Sequence, residues 1–418
     1  MARIMVIFGT RPEAVKLAPV IKALQKDPRF DTFTVVTAQH RHMLDQMLKL
    51  FEITPNVDLD TSRPNQTLIG LTQRMLTELA PQLKQHQPKL VLVQGDTTTA
   101  FVAALAALYH HVAVAHLEAG LRTGNIWSPY PEEANRRLIT AVSTLHFAPT
   151  PTSAANLYAE GVREQAVTVT GNTVIDALHW AVNHSTGYGD ETLYDLDDDP
   201  RQVLLVTTHR RESWGQPMQQ IAAALAELAA TEPGLRIIIP VHRNPVVRAA
   251  LMPTLVQNNI TVTEPLEYTG FCQLMKRSYL ILTDSGGIQE EGPSLGKPVL
   301  IMRDTTERPE GVAAGTARLV GTDKSRIISE VRKLLHDKAA YTRMANAINP
   351  YGDGKAAERV ITALARFFKY EPAANTPRSS AEHPDRSPKL STTRSLRAMA
   401  PSLIAQTSLN NGPETNCS

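Results

Sequence analysis

Twelve short apolar runs punctuate the sequence, at 3–8, 33–37, 89–94, 112–116, 144–148, 166–170, 203–208, 235–241, 260–263, 279–283, 298–302 and 317–320. Several are continuous and not alternating. A strand that is apolar at every position leaves no face for water, so it must be covered on both sides, as in a parallel sheet flanked by helices. Amphipathic stretches with helical spacing lie between the runs, for example at 67–85, 98–110, 218–230 and 324–336. The alternation predicts an α/β chain with right-handed crossovers, whose ligands bind at the carboxyl ends of the strands.

At 418 residues the chain exceeds what one core ordinarily serves. A polar, acidic, glycine-containing stretch at 185–202 separates the sixth apolar run from the seventh. Two doubly wound, Rossmann-like domains facing each other across a cleft are therefore expected. From residue 371 the character changes. The last 48 residues carry no aromatic side chain and are rich in Ser, Thr, Pro and Asn. Such a segment buries too little apolar surface to offset the entropy of ordering, so 371–418 is expected to be a disordered tail.

Charge narrows the partners. Forty-three Lys and Arg face 41 Asp and Glu, a formal balance of +2. That leaves no overall field for nucleic acid or an anionic membrane, so an anionic ligand must be held by a local cluster of cations. Cys272 and Cys417 are too few for a disulfide framework or a cysteine-based zinc site. No stretch approaches the roughly 18 apolar residues of a membrane span. The first residues read as a buried strand and not as a signal peptide, so a cytoplasmic protein is expected.

The polar signals sit where strands end. Gly9-Thr10-Arg11-Pro12-Glu13-Ala14-Val15-Lys16 follows the first run and sets Arg11 and Lys16 about one helical turn apart, an arrangement suited to an anion at a helix start. Asp96 ends the third run and Glu118 follows the fourth. Alone, Asp96 reads as a helix cap. On adjacent parallel strands, about 5 Å apart, the two carboxylates would share one cleft, as acid/base work requires. Pro129 and Pro131 then lead into Glu132-Glu133, which favour a helix start whatever else they do. The second half repeats the theme with His209-Arg210-Arg211, His242-Arg243, Asp284-Ser285-Gly286-Gly287 ahead of Glu290 and Glu291, and a charged loop at 303–310. Ser285, Gly286 and Gly287 fit a turn that brings backbone N–H groups to a phosphate.

Other signals are discounted. His40 with His42, and His110 and His111 with His116, lack a convincing metal spacing, so no metal is expected. Tyr351 and Lys355 match the Tyr-x-x-x-Lys pair of nicotinamide-dependent epimerases, but two glycines between them oppose the helix that pair needs. No Gly-x-Gly-x-x-Gly turn follows the first strand either.

Long ordered motifs add a resemblance. They are Phe-Gly-Thr-Arg-Pro-Glu-Ala at 8–14, Gly-Asp-Thr-Thr-Thr at 95–99, Glu-Ala-Gly-Leu-Arg-Thr at 118–123 and Pro-Glu-Glu-Ala-Asn-Arg at 131–136. Further on come Thr-Gly-Asn-Thr-Val-Ile-Asp-Ala at 170–177, His-Arg-Arg-Glu-Ser at 209–213 and Thr-Asp-Ser-Gly-Gly-Ile-Gln-Glu-Glu at 283–291. Arg-Asp-Thr-Thr-Glu-Arg-Pro-Glu at 303–310 and Asn-Pro-Tyr-Gly-Asp-Gly at 349–354 complete the set. Over about residues 2–370 the chain resembles the non-hydrolysing UDP-N-acetylglucosamine 2-epimerases.

The resemblance implies a GT-B-like fold, with an N-terminal domain over 1–172, a UDP-binding domain over 173–354 and a last helix at 355–370 that packs back on the first. It implies a homodimer that needs no cofactor and reversibly converts UDP-N-acetylglucosamine to UDP-N-acetylmannosamine, supplying a precursor for surface polysaccharide. In that chemistry UDP leaves by elimination to a bound 2-acetamidoglucal and then re-adds. The matching motifs make Asp96, Glu118, Glu132 and His209 the catalytic candidates. They make Arg11, Lys16, Arg136, Ser285, Gly286, Gly287, Glu291 and Arg308 the substrate-binding candidates. Gln39, His40, Arg210 and His242 match an allosteric site for UDP-N-acetylglucosamine. Two departures stand out: His42 replaces a usual Gln or Glu, and Thr208 replaces a usual Gly or Ala. A glycosyltransferase of the same fold, a hydrolysing 2-epimerase and a catalytically silent nucleotide-sugar sensor are the competing readings.

Overall fold

The first sheet contains β1 (Ala2–Phe8), β2 (Phe30–Val36), β3 (Val57–Asp58), β4 (Leu90–Gln94), β5 (Ala113–Leu117), β6 (Leu145–Ala148) and β7 (Val167–Val169). The second contains β8 (Gln202–Thr207), β9 (Leu235–Pro240), β10 (Ile260–Thr263), β11 (Leu280–Thr283), β12 (Val299–Ile301) and β13 (Ala317–Leu319). This computed structural model describes residues 1–39, 41–63 and 66–370, so the 371–418 segment lies outside the described residues. Every strand pairing is parallel, in the orders β3-β2-β1-β4-β5-β6-β7 and β10-β9-β8-β11-β12-β13. All twelve apolar runs are strands. The two-residue β3 has no run to announce it and exists only through its pairing with Val35 and Val36 of β2.

The helices around the first sheet are α1 (Arg11–Lys26), α2 (Arg41–Leu50), α3 (Leu68–His86), α4 (Thr98–Tyr109), α5 (Glu132–Val142), α6 (Pro151–Ala159) and α7 (Thr173–His184). Then follow α8 (Gln216–Thr231), α9 (Pro245–Leu251), α10 (Tyr268–Arg277), α11 (Ile288–Ser294), α12 (Pro309–Ala313), α13 (Lys324–His336), α14 (Lys338–Ala345) and α15 (Ala356–Phe367). Among the described residues no helix is long and apolar enough to cross a membrane.

The pleat explains why β1 is apolar throughout. Ile4, Val6 and Phe8 join the core shared with α1, α7 and α15, whereas Met5 and Ile7 join the core under α3 and α4. All five are fully buried, each worth about 1.5–3 kcal/mol relative to exposure. Both sheets reverse strand order at one place, between β1 and β4 and between β8 and β11. Such switch points open a crevice at the strands' carboxyl ends. The polar segments after β1, β4, β8 and β11 all stand there.

Two connections tie the halves together. The chain leaves the first sheet through Thr170-Gly171-Asn172 and returns through Tyr351-Gly352-Asp353, and the two passes touch. Asn172 N donates to Tyr351 O at 2.7 Å. A Cβ on Gly171 would lie 3.3 Å from the Gly352 Cα, and both glycines have positive φ, so side chains at either position would hold the passes apart. Beyond the return, α15 packs on α1 and α7, and Phe368 and Tyr370 meet Phe30 with ring centroids 6.3 and 5.9 Å away. Tyr351 and Lys355 indeed share no helix: Tyr351 is buried in the turn and its hydroxyl accepts from Gly311 N at 3.0 Å, while Lys355 only begins α15.

The start of α15 is capped from far away in sequence. Asp176 of α7 accepts from the N–H groups of Ala356 at 3.2 Å and Ala357 at 2.9 Å. Replacing Asp176 with Ala should cost about 1–2 kcal/mol, the usual loss for a cap. Urea unfolding of the two proteins measures it, and equal midpoints would refute the cap.

Candidate active site

The turn after β1 is built around a buried carboxylate. A Cβ on Gly9 would run into the hydroxyls of Thr37 and Thr99, so only glycine allows the turn to pass so close. Glu13, fully buried, accepts from Gly9 N at 3.0 Å, Thr10 N at 2.8 Å and Thr97 Oγ1 at 2.7 Å, and so fastens the β1 turn to the β4 turn. Burial pushes its carboxyl up to about 7 against these bonds. Arg11 has no hydrogen-bond or ion-pair partner among the described residues, an open cation at the mouth of the turn.

One turn on, Lys16 Nζ meets both oxygens of Glu118, at 2.5 and 2.7 Å. Glu118 stands just beyond β5 at φ +64, a left-handed conformation that costs a non-glycine residue energy and concentrates at functional sites. Gln94, the last residue of β4, donates to the same carboxylate. Asn172 Nδ2 bridges onward, 3.1 Å from Glu118 Oε1 and 2.6 Å from Glu290 Oε2. Glu290 in turn takes the Arg308 guanidinium. Two cations and two carboxylates thus join the two sheets in one buried cluster. Burial opposes charge on Glu118, but Lys16, Arg308 and the hydrogen bonds outweigh it and hold the carboxyl below its ordinary value. Lys16 is raised by Glu118 and Glu290 in spite of burial.

Asp96 lies in the turn before α4 and is the partner of Arg136, whose Nη2 and Nε lie 2.5 and 3.1 Å from Asp96 Oδ2. Asp96 is not the helix cap, a place taken by Thr97, whose hydroxyl accepts from Ala100 N at 3.0 Å. Arg136 also holds Glu133 at 2.9 Å. A Cβ on the neighbouring Gly95 would sit 3.6 Å from Glu118 Oε2, so Asp96 and Glu118 occupy adjacent strand ends, as their sequence positions require. The Glu132-Glu133 pair divides by helix phase. Glu133 is fully buried, bound to Thr123 N, Arg136 and Arg137, and locks the 119–131 loop to α5. Glu132 is half-buried with no polar partner among the described residues.

In the second sheet the organiser is Asp284, fully buried after β11. Its Oδ2 accepts from Thr208 Oγ1 at 3.0 Å, His209 N at 2.7 Å and Arg210 N at 2.9 Å, and His209 Nδ1 lies 3.0 Å from Oδ1. Burial resists ionisation, but His209 and the two backbone donors hold the carboxyl below its usual range. The unusual Thr208 therefore supplies a hydroxyl donor to a buried anion. His209 stacks on His242 at 5.7 Å, and Arg210 reaches Asp284 O at 2.9 Å and Glu307 at 3.6 Å.

Ser285, Gly286 and Gly287 form the turn into α11, with Ser285 N bonded to Thr283 Oγ1 at 2.9 Å. Neither glycine has positive φ; a Cβ would meet Arg210 Nη2 or Glu291 Oε2 at 3.7 Å, so their value is room over the turn and not conformational freedom. Glu291 is buried without a hydrogen-bond partner among the described residues, and burial plus the Glu290 charge push it up to about 7. Gln39 accepts from Thr99 Oγ1 at 3.0 Å, beside the first switch point. His40 lies outside the described residues, and His42 falls in α2.

Most sequence-selected residues thus gather at the two switch points: Arg11, Lys16, Asp96, Glu118 and Arg136 on one side, His209, Arg210, His242, Ser285, Gly286, Gly287, Glu291 and Arg308 on the other. Sequence reasoning passed over Glu13, Gln94, Asn172 and Asp284 as site residues, and of Glu290 and Glu291, either of which stands about one turn into the helix, within reach of a ribose, it settled on Glu291. Each lies inside a quoted motif or, for Gln94, at the end of an apolar run, but its role depends on a partner on another element. His116, discounted as a metal ligand, is buried with Nε2 2.7 Å from Gly95 O, and burial pulls it down to about 3.

Two parallel, doubly wound sheets joined by one charged seam define an α/β protein of the GT-B-like class. The sequence model of the UDP-N-acetylglucosamine 2-epimerase family matches residues 22–365. UDP-N-acetylglucosamine 2-epimerase of Escherichia coli K12 is 52% identical over 368 residues, 87% of this chain and 98% of that protein. The Bacillus subtilis enzyme of that name is 47% identical over 88% of this chain and 96% of its own length. Among solved structures, UDP-GlcNAc 2-epimerase from Neisseria meningitidis bound to UDP-GlcNAc is 47% identical with a TM-score of 0.78, covering 87% of this chain and all of that one. The chain belongs to the UDP-N-acetylglucosamine 2-epimerase family.

The raised carboxyls give stability a defined pH dependence. Unfolded, Glu13 and Glu291 lose their protons near 4.5; folded, they keep them to about 7. Between these values the folded state binds more protons, so their contribution to stability falls as pH rises through the window. Glu13→Gln should flatten that fall and leave the share of Glu291. Denaturant unfolding at pH 5 and pH 8 reads it, and an unchanged slope in the variant would contradict the assignment.

Proposed function

We propose that the protein interconverts UDP-N-acetylglucosamine and UDP-N-acetylmannosamine by elimination and re-addition of UDP, with the intermediate sugar kept bound. The observation that carries this reading is the Lys16–Glu118 pair. A cation for a diphosphate and a carboxylate for a proton stand in contact, beside Asp96, at the carboxyl ends of adjacent strands. The identity to named 2-epimerases, and the UDP-GlcNAc bound by the Neisseria relative, support the substrate.

In the forward direction the C1–O bond to UDP breaks, the C2 proton passes to a base and the electron pair forms a C1=C2 double bond. The C2 proton is weakly acidic, because no carbonyl adjoins C2. Departure of UDP therefore runs ahead of proton loss, through a cationic, oxocarbenium-like state that nearby carboxylates stabilise. Arg11 has no hydrogen-bond or ion-pair partner among the described residues and is suited to receive the diphosphate first. Lys16 is shared: as the leaving diphosphate gains charge it competes with Glu118 for the ammonium, and a less neutralised Glu118 is the stronger base. Inversion at C2 means that the proton leaves one face and returns to the other. Two separate groups are then required, and Asp96 and Glu118 on neighbouring strand ends supply them, with Glu132 as a further unpaired carboxylate. His209, seated on buried Asp284, faces the diphosphate from the second sheet, and Glu291 is placed for ribose hydroxyls. We take 1–172 with 355–370, and 173–354, as the two halves that enclose the substrate.

Incubating the protein with UDP-N-acetylglucosamine alone in heavy water tests the reading by proton NMR. The expected result is UDP-N-acetylmannosamine, deuterium at C2 of both nucleotide sugars and little free UDP. Release of N-acetylmannosamine and UDP would indicate the hydrolysing reaction, and no turnover without an acceptor would favour a transferase or sensor. Asp96→Asn and Glu118→Gln should each lower kcat by about 100-fold or more while UDP still binds. Rates near that of the parent enzyme in both would remove these carboxylates from the mechanism.

A further inference from the structure

Asn172 carries no charge, lies outside the acid/base set and is almost completely buried. Every hydrogen-bonding group it has is in use. Its Oδ1 accepts from Val174 N at 3.1 Å and caps α7, which fixes the orientation of the amide. Nδ2 must then point the other way, and its two protons are divided between Glu118 and Glu290. Its backbone N–H holds the returning chain at Tyr351. One neutral side chain therefore touches a carboxylate from each sheet, while the backbone of the same residue joins the two connections between the sheets.

We propose that Asn172 is a positioning residue for the epimerase reaction: its amide registers Glu118 of the first sheet against Glu290 and Arg308 of the second, so that assembly of the two halves sets the place and ionisation of Glu118. The inference rests on the epimerase reading for its substrate but not for its geometry. Around the amide stand Lys16 of α1, Glu118 beyond β5, Glu290 and Glu291 of α11, Arg308 before α12 and Tyr351 in the return turn. A neutral amide supplies one N–H to each of the two anions there without adding charge. A third carboxylate would repel both, and a residue without a distal N–H would leave each with one donor fewer.

Two variants separate positioning from mere folding, because Ser and Asp both preserve an N-cap. Asn172→Ser keeps the cap and removes the bridge. Asn172→Asp keeps the cap and the shape but adds a negative charge. We expect kcat to fall about 10-fold in the first and further in the second, with KM changed by roughly threefold or less. The acid limb of the kcat profile should move to higher pH in the order parent enzyme, Asn172→Ser, Asn172→Asp, by about one unit in the last. A titration of 13C-labelled glutamate carboxyls in the same three proteins reads the Glu118 shift without turnover. It therefore tests the inference even if the parent enzyme fails to epimerise, a failure that would fall on the proposed function instead. If both variants fold and their carboxyl titrations match that of the parent, the assignment is overturned. A loss of kcat with an unmoved acid limb would overturn it as well, by showing a structural role alone.

Discussion

The contact on which the rest of the site depends is the buried cluster of Lys16, Glu118, Asn172, Glu290 and Arg308. Burying one charge alone costs several kcal/mol, so each member is tolerable only in the presence of the others. Lys16 comes from the first helix, Glu118 from a strand end, Glu290 from α11 and Arg308 from the loop before α12. Completing the cluster therefore requires both sheets to be formed and correctly placed. This makes the buried charged arrangement a property of the assembled molecule and not of either sheet.

A second consequence is electrostatic. Lys16 and Arg308 are balanced by Glu118 and Glu290, and Arg136 by Asp96 and Glu133. The chain's small net charge is thus reproduced locally, pair by pair. On the function proposed above, an incoming diphosphate competes with these carboxylates for the cations, whereas Arg11 has no hydrogen-bond or ion-pair partner among the described residues. Each carboxylate displaced in that competition would become more basic.

Much of this was legible in the sequence. The alternation of apolar runs announced twelve strands, and the placement of Asp96 and Glu118 after successive runs put two carboxylates side by side. Less visible was the division of labour between sequence neighbours. Glu132 and Glu133, like Glu290 and Glu291, differ by one residue, hence by about 100° around a helix. In each pair one carboxylate is tied to arginine and the other has no hydrogen-bond or ion-pair partner among the described residues, and no composition or spacing argument says which. Thr208 is similar: an apparent departure from a small residue becomes an extra donor once Asp284 is seen beneath it.

The sequence by itself determined the class of fold, the strand ends at which polar groups collect and the family, because periodicity and local motifs are carried by neighbouring residues. Tertiary structure alone decided which carboxylates are neutralised, which are pushed toward neutral pH, and that Asn172 joins the sheets. Those properties arise from burial and from partners as far apart in the chain as Asn172 and Glu290. Desolvation and Coulomb interaction depend on distance in space, which a chain acquires only when it folds.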